Sequence, residues 1–297
     1  MSTATPPQGV SYLGPITDTS RWAPFRHRAG DIFVCTPPKC GTTWTQAICA
    51  MLVFGTSEHG QQPGVISPWV DAAFSDLDDC MAQVDAQTHQ RYLKTHTPFD
   101  GIPFHEDCVY LVIFRDPRDT YFSSINHRDN MNDQEMASAV FPSGERPFED
   151  WLETVRPPGA WDVVALDSLC HFMNTYWPYR DLPNVHLFHY SDMKRDLRVA
   201  IAGMAEAAGI EVDDARLDEF TAAADFSAMK ARAEQFAPES GSGMWKAESQ
   251  FFANGSSGQW DGRLTDAQLA AFETRFAELV PDPAQAAWML GGKGGTG

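Results

Sequence analysis

Strand-like apolar runs alternate with helix-like segments along this chain, and this order restricts its possible folds more than any other feature. The runs with the length and the aromatic or β-branched content of buried strands are Asp31–Cys35, Arg91–Thr95, Cys108–Phe114 and Val185–Tyr190. Helical patterns are found at Thr42–Phe54, from about Pro117, and at Leu166–Arg180, Lys194–Ala208, Asp214–Ala224, Thr265–Leu279 and Pro283–Leu290. This alternation predicts an α/β fold with a mostly parallel sheet flanked by helices on both faces.

Neither an internal repeat nor a shift in composition divides residues 1–297, so we expect a single domain. Residues 1–18 and the glycine-rich residues 291–297 are expected to be flexible tails. Two segments rich in loop-forming residues, Met131–Pro158 and Ala233–Gly262, are candidates for lids over a site.

The formal net charge of −18 argues against several classes of partner. A chain this acidic is not expected to bind nucleic acid, anionic membranes or highly sulfated polymers, because like charges repel. Its longest apolar run, Ala47–Phe54, is shorter than the ~20 residues of a transmembrane helix, so we expect no membrane span. An anionic ligand would need a local cluster of positive charge.

Six cysteines occur without any C-x-x-C pair, which predicts buried reduced thiols rather than disulfides or a zinc site. The first residues lack the charged and apolar regions of a secretory signal. We therefore expect a cytoplasmic protein. No acidic metal-binding motif is evident, so we expect no metal.

The first strand leads directly into Thr36–Trp44, which contains Lys39 and Gly41 and opens a helix on Thr42 and Thr43. The amides at a helix start attract anions, and a glycine lets the backbone approach a phosphate closely. The pattern differs from a Walker A loop, because the first glycine is missing and the lysine precedes Gly41. An exposed lysine beside a threonine N-cap explains this spacing equally well.

A second candidate phosphate site follows the third predicted strand, at the edge where open α/β sheets bind ligands. Arg115 ends that strand, and Ser123 lies about two turns into the helix that follows. The alternative is that Arg115 and Arg118 only form surface ion pairs with Asp116 and Asp119.

A candidate general base, His96, ends the second strand two residues after Lys94, so the two side chains point the same way. A neighbouring cation favours the neutral imidazole, which can accept a proton from an alcohol. A histidine that merely caps a loop is the alternative interpretation.

These segments, in this order, resemble motifs of the cytosolic-type sulfotransferase family. The matching stretches are Pro37–Trp44, Lys94–His96, Arg115–Ser123, Tyr190–Lys194, Phe226–Lys230 and Gly255–Trp260. Among bacterial members the chain is most similar to mycobacterial glycolipid-type enzymes, especially around SPWVDAAF, KTHTPFDG and FRDPRD. Family members commonly have serine where Cys40 stands.

The resemblance implies a P-loop-like fold, 3′-phosphoadenosine 5′-phosphosulfate (PAPS) as sulfuryl donor, PAP as product, and no metal. His96 would be the general base, and Lys39 and Lys94 would contact the phosphosulfate. Trp44 and Phe226 would enclose the adenine. The remaining residues implied in donor binding are Cys40, Gly41, Thr42, Thr43, Arg115, Ser123, Tyr190 and Gly255.

The chain differs from the family at one place, and this difference weakens the binding of the 3′-phosphate that the resemblance implies. The family has two basic residues before Gly255, where this chain has Ala253 and Asn254, and Ala224 replaces a usual threonine. The basic residues that are candidates to compensate are Arg118, Arg232, Lys246 and Arg263.

Two other functions remain open at this stage: a degenerate nucleotide-binding protein of the same fold, and a P-loop kinase. The 35 aromatic rings and the acidic charge favour a neutral lipid, phenol or small alcohol as acceptor. A homodimer is also possible. The residues we expect to line the acceptor pocket are Trp69, Phe99, Phe141, Trp161 and Phe172.

Overall fold

The sheet of this protein is parallel throughout. In the computed structural model, which describes residues 5–238, 240–253 and 255–294, the strands are β1 Ile32–Cys35, β2 Tyr92–Thr95, β3 Val109–Phe114 and β4 Val185–His189. Their order across the sheet is β2-β1-β3-β4, and each neighbouring pair runs in the same direction. The predicted parallel α/β architecture is confirmed.

Fifteen α-helices surround the sheet within the described residues. They are α1 Thr42–Phe54, α2 Pro63–Ile66, α3 Leu77–Ala86, α4 Pro117–Asn130, α5 Gln134–Val140, α6 Pro147–Glu153, α7 Leu166–Tyr176, α8 Tyr190–Arg195, α9 Leu197–Ala208, α10 Asp214–Ala223, α11 Phe226–Ala231, α12 Ala233–Phe236, α13 Glu248–Phe251, α14 Asp266–Leu279 and α15 Pro283–Gly291. Short 3-10 helices lie at Thr19–Trp22, Phe99–Gly101, Trp177–Tyr179 and Gly292–Gly294.

Both faces of the sheet are covered because successive strand side chains point to opposite sides. Phe33 and Tyr110 pack into one hydrophobic cluster, whose other members come largely from α6, α7, α14 and α15. Val34 and Leu111 pack into a second cluster with α1, α9 and α10. Side chains buried on both faces explain why these strands are almost continuously apolar in sequence.

The strand register determines which chain segments meet at the carboxyl edge of the sheet. Cys35, at the end of β1, is opposite Thr95 of β2 and Val112 of β3. The turn after β1, the residues after β2 and the end of β3 at Phe114 are therefore neighbours. All three carry candidate site residues.

The long helix expected over Lys194–Ala208 is in fact two helices, and that part of the prediction was wrong. Asp196 adopts a non-helical φ of −144° between α8 and α9, and its side chain accepts a hydrogen bond from the Val199 amide. An aspartate that caps a helix start in this way competes with helix continuation.

The segments expected to be lids contain short helices as well as loops: α5 and α6 lie within Met131–Pro158, and α12 and α13 within Ala233–Gly262. Residues 10–18, which we expected in a loose tail, pack against the body. Tyr12 is 1% exposed, and its hydroxyl donates to Asp100 at 2.8 Å.

All six cysteines are buried free thiols, as the sequence predicted. Over the described ranges, none of the helices combines the length and the apolar character that crossing a membrane requires.

Candidate active site

A cavity of about 570 Å³ opens at the carboxyl edge of the sheet. This volume is in the range of sites that hold drug-sized ligands. The candidate residues that line it are Lys39, Gly41, Thr42, Thr43, Trp44, Lys94, His96, Arg115, Ser123, Tyr190, Phe226 and Gly255.

The turn between β1 and α1 forms one wall and has the geometry of an anion site. Lys39 has φ +68° and is the single described non-glycine residue with a left-handed backbone. Gly41 has φ +108°, and a Cβ there would lie 3.2 Å from the ring of Tyr190. Gly41 is the N-cap of α1 and has no side chain to cap it, so the first amides of this helix are available to a ligand.

Three cationic side chains, Lys39, Lys94 and Arg115, converge on this wall. Burial, together with the nearby charges of Arg115 and Lys94, lowers the pKa of Lys39 to about 7. Lys94 Nζ also lies 3.9 Å from the centroid of the Trp69 ring. Such a cluster within an acidic protein favours an anionic ligand with more than one charge.

His96 has the environment of a neutral proton acceptor. Burial lowers its pKa well below the ordinary value, and the neighbouring charges of Lys94 and Lys39 act in the same direction. Its Nδ1 lies 2.6 Å from the carbonyl oxygen of Thr36. A carbonyl can only accept, so Nδ1 carries the proton and Nε2 is the basic nitrogen.

Arg115 joins the carboxyl edge to the loop that carries Gly255. Its Nη2 donates to the carbonyl oxygen of Ser256 at 2.6 Å, and its Nε lies 3.9 Å from Asp119. Its guanidinium lies 4.3 Å from the centroid of the Tyr190 ring. Arg115 therefore lines the cavity and forms an ion pair as well, whereas Arg118 pairs with Asp116 and does not line the cavity.

An aromatic slot lies beside this wall. Trp44 packs edge-on against Tyr190 with ring centroids 5.2 Å apart, and its indole N–H donates to the carbonyl oxygen of Ala224 at 2.8 Å. Phe226 lines the same space. Gly255 has φ +57°, and a Cβ there would lie 2.2 Å from the Phe226 ring, so the loop can pass the ring only because this residue is glycine.

The other half of the cavity is apolar. Among its lining residues, Phe74 is 63% exposed, Val163 42% and Met136 39%. These exposed apolar side chains form a rim, and the deeper wall contains Trp69, Met131, Val140, Phe141, Trp161, Met244, Trp245 and Phe251. The cavity thus joins a cationic end to an apolar end, and His96 and Lys94 contribute to its wall.

Comparisons with known proteins identify the family of the chain. The profile of the sulfotransferase domain family matches residues 29–283. The chain belongs to the sulfotransferase family. A glycolipid sulfotransferase of Mycobacterium bovis is 33% identical over 96% of this sulfotransferase and 95% of that relative. Human sulfotransferase 1C2 is 24% identical over 84% of this chain and 82% of its own length.

Solved structures show the same fold. A mouse sulfotransferase complexed with PAP superposes with a TM-score of 0.70 at 21% identity, covering 94% of this chain and 97% of that one. A retinol dehydratase in complex with androsterone and PAP also gives a TM-score of 0.70, at 19% identity over 86% of this chain and 82% of that one. The P-loop-like fold of this sulfotransferase is therefore confirmed.

Among the residues implied in catalysis and donor binding, Cys40 is the one whose side chain does not line the cavity. It is fully buried, and its Sγ lies 3.5 Å from the hydroxyl of Thr120. Burial raises its thiol pKa to about 11. The residue packs the turn against α4, and no side-chain contact with a donor is expected from it.

The cations near the place of the missing basic pair differ from those that the sequence suggested. Ala253 lines the cavity, and Asn254 lies outside the described residues. None of Arg118, Arg232, Lys246 and Arg263 lines the cavity. Two cations that sequence reasoning missed flank the slot: Lys194 lines it with Nζ 5.6 Å from the Phe226 centroid, and Lys230 lies 5.9 Å from that centroid.

The predicted acceptor residues divide into two groups. Trp69, Phe141 and Trp161 line the cavity, whereas Phe99 and Phe172 belong to the hydrophobic core. No group of three or more side chains suited to hold a metal occurs in the parts of the chain that the structure covers.

Proposed function

We propose that this sulfotransferase transfers a sulfuryl group from PAPS to the hydroxyl of an apolar, lipid-like acceptor. The observation that carries the proposal is the position of His96. His96, whose Nε2 is the basic nitrogen, lines the same cavity as the cationic phosphate site and the apolar side chains. A donor and an acceptor held in the two halves would react near this nitrogen.

PAPS supplies a sulfuryl group attached to a phosphate that is a good leaving group. In this scheme His96 takes the proton from the acceptor hydroxyl as the new oxygen–sulfur bond forms. Lys39 donates hydrogen bonds to the phosphate oxygen that gains charge as the old sulfur–oxygen bond breaks. Lys94 stabilises the sulfuryl oxygens.

The donor fits the remaining features of the cationic half. The first amides of α1 and the hydroxyls of Thr42 and Thr43, which line the cavity, would bind the 5′ end of the donor. Arg115 and Ser123 are assigned to the 3′-phosphate. Trp44 and Phe226 would hold the adenine by stacking, which is favourable for any flat aromatic ligand.

The acceptor class follows from the apolar half and its exposed rim. Phe74, Val163 and Met136 would contact the part of a long acceptor that extends out of the cavity. The net charge of −18 disfavours polyanionic glycans. Buried free thiols favour a reducing compartment, so we also propose the cytoplasm as the location.

Sulfate transfer from radiolabelled PAPS to a panel of acceptors tests the proposal. The panel contains a glycolipid, a long-chain alcohol, a sterol, a phenol and a polyanionic glycan. We expect labelled product with an apolar alcohol and none with the glycan. The matched control is Lys39→Ala, which should abolish transfer.

Thermal stabilisation by nucleotides separates the alternatives. Stabilisation by PAP without transfer to any acceptor would support a degenerate nucleotide-binding protein. Stabilisation by ATP with Mg²⁺, but not by PAP, would contradict the proposal and support a kinase.

A further inference from the structure

Lys39 and His127 form a hydrogen-bonded pair that neither the motifs nor their spacing reveals. Lys39 Nζ lies 2.7 Å from His127 Nδ1. One side chain comes from the turn after β1 and the other from α4, one turn beyond Ser123. Both line the cavity.

Aromatic rings enclose this pair. The His127 ring packs against Phe141, Trp245 and Phe251, with centroid distances of 4.9, 4.8 and 5.7 Å. Lys39 Nζ itself lies 4.7 Å from the Phe251 centroid. Rings on several sides restrict the orientation of the imidazole and keep water from competing for the hydrogen bond.

The direction of the hydrogen bond follows from its chemistry. An ammonium group has three N–H donors and no acceptor, so His127 Nδ1 must accept from a charged Lys39. The neutral imidazole then carries its proton on Nε2. His96 has the opposite arrangement, because its Nδ1 donates to Thr36.

We propose that His127 is a positioning residue for Lys39: its Nδ1 holds one N–H of the ammonium, so that the other two point at the phosphosulfate. The inference rests on the proposed function, in which Lys39 meets the 5′ end of the donor. His127 acts through Lys39 and takes no part in proton transfer.

The same bond influences the protonation of Lys39. Burial lowers the pKa of Lys39 to about 7 and holds the pKa of His127 well below its ordinary value. A neutral acceptor stabilises the ammonium, so losing it lowers the pKa of Lys39 further. The titratable or charged groups that act on the pair are Lys94, His96, Arg115 and Cys40.

Binding of PAP as a function of pH tests the inference. The charged Lys39 binds the anion, so affinity should fall about tenfold for each pH unit above its pKa in the empty site. In His127→Phe this decline should begin about one pH unit lower, while affinity at pH 5 and below matches that of the parent. The kcat at a fixed pH should also fall, with little change in the KM for the acceptor.

Two further variants make the test specific. His127→Asn places an amide oxygen near the position of Nδ1 and should restore the parental pH profile. His186→Phe removes a half-buried histidine of β4 that does not line the cavity, and should leave the profile unchanged. A His127→Phe profile that superposes on that of the parent would overturn the inference.

The parent protein offers an independent measurement that does not depend on folding of a variant. The ¹⁵N shifts of His127 in the empty protein should show an unprotonated Nδ1 and a protonated Nε2. A protonated Nδ1 would overturn the inference. Failure of the proposed function gives a different result: the parent protein would not bind PAP, whichever tautomer the ¹⁵N shifts of His127 show.

Discussion

His96 illustrates how a single residue is prepared for its role by its neighbours. Its low pKa, caused by burial and by the charge of Lys94, keeps the ring neutral at physiological pH. The hydrogen bond to Thr36 places the remaining proton on Nδ1. Both effects make Nε2 a base, and no carboxylate among the described residues forms a hydrogen bond with the His96 ring.

We therefore predict that His96→Ala lowers kcat by ~10²–10⁴-fold and leaves PAP binding nearly intact, since a general base typically contributes that much. Because only the neutral ring accepts a proton, the acid limb of the parental kcat/KM profile should lie well below pH 6.5. Steady-state kinetics across pH check both expectations. His105→Ala, in the loop before β3, is the control. Near-normal turnover of His96→Ala would exclude His96 as the base.

A second residue-scale prediction concerns Lys230. Its Nζ donates to the carbonyl oxygen of Ala253 at 3.1 Å. Its charge therefore lies beside one of the two positions where the family resemblance implies a basic residue. We predict that Lys230→Ala weakens PAP binding by about tenfold or less, the value of one exposed charge-assisted hydrogen bond. Binding of AMP, which lacks the 3′-phosphate, should change little.

Calorimetric titration at two salt concentrations measures this effect, because part of it is Coulomb attraction that salt screens. Lys246→Ala is the matched control: its Nζ also donates to a backbone carbonyl oxygen, that of Asp129 at 2.6 Å, whereas Lys230 Nζ lies 5.9 Å from the Phe226 centroid. Equal loss of PAP and AMP affinity in Lys230→Ala would contradict a role at the 3′-phosphate.

At the scale of elements, the loop after α13 depends on contacts from α4. Asp119 accepts hydrogen bonds from the amides of Gly258 at 2.9 Å and Gln259 at 2.6 Å, and Arg115 holds Ser256. The loop therefore covers the aromatic slot because the start of α4 fixes its position. Gly255 is where it comes closest to a ring.

We predict that Gly255→Ala abolishes most PAP binding, because a Cβ only 2.2 Å from the Phe226 ring must displace the ring or the loop. Gly258→Ala is a close control, since that residue has φ +73° and no atom of the described residues lies within 4 Å of a Cβ built there. The control should lose only ~1–2 kcal/mol of stability from left-handed backbone strain. The increase in melting temperature on adding PAP is measured for both variants. An equal increase in the two would show that Gly255 does not shape the slot.

At the scale of the whole molecule, we expect that a substitution can lower stability without lowering kcat. The reason is a buried ion pair at the amino end of the sheet, away from the cavity. Arg91 and Asp31 are 1% and 2% exposed, and Arg91 Nε donates to Asp31 Oδ1 at 2.8 Å. Arg91 also donates to the carbonyl oxygen of Arg26. The pair joins the starts of β1 and β2, on the edge away from the cavity.

We predict that Arg91→Leu lowers the free energy of unfolding by ~3–5 kcal/mol, because Asp31 is left charged and buried without its partner. The Asp31→Leu/Arg91→Leu double variant should recover part of this loss. Urea unfolding measures both. At temperatures where the variants are folded, kcat should stay near the parental value, and a parallel loss of kcat would show that this edge is coupled to the active site.

Local sequence determined much of this protein. Continuous apolar runs predicted the parallel strands because side chains buried on both faces leave no polar alternation. The helix patterns at Thr42–Phe54 and Thr265–Leu279 match α1 and α14 within a residue, the latter with the capping box of Thr265 and Gln268. Motif order predicted the family, since each motif joins a strand end to the next element.

Tertiary structure decided the contacts between residues far apart in the chain. Lys39 meets His127, and Lys230 reaches Ala253, only because the turn after β1, α4, α11 and the loop after α13 converge at one edge of the sheet. No periodicity or spacing encodes such pairs. Likewise the ring of Phe172 packs in the core while that of Phe141 lines the cavity, because burial depends on what the fold places opposite a side chain.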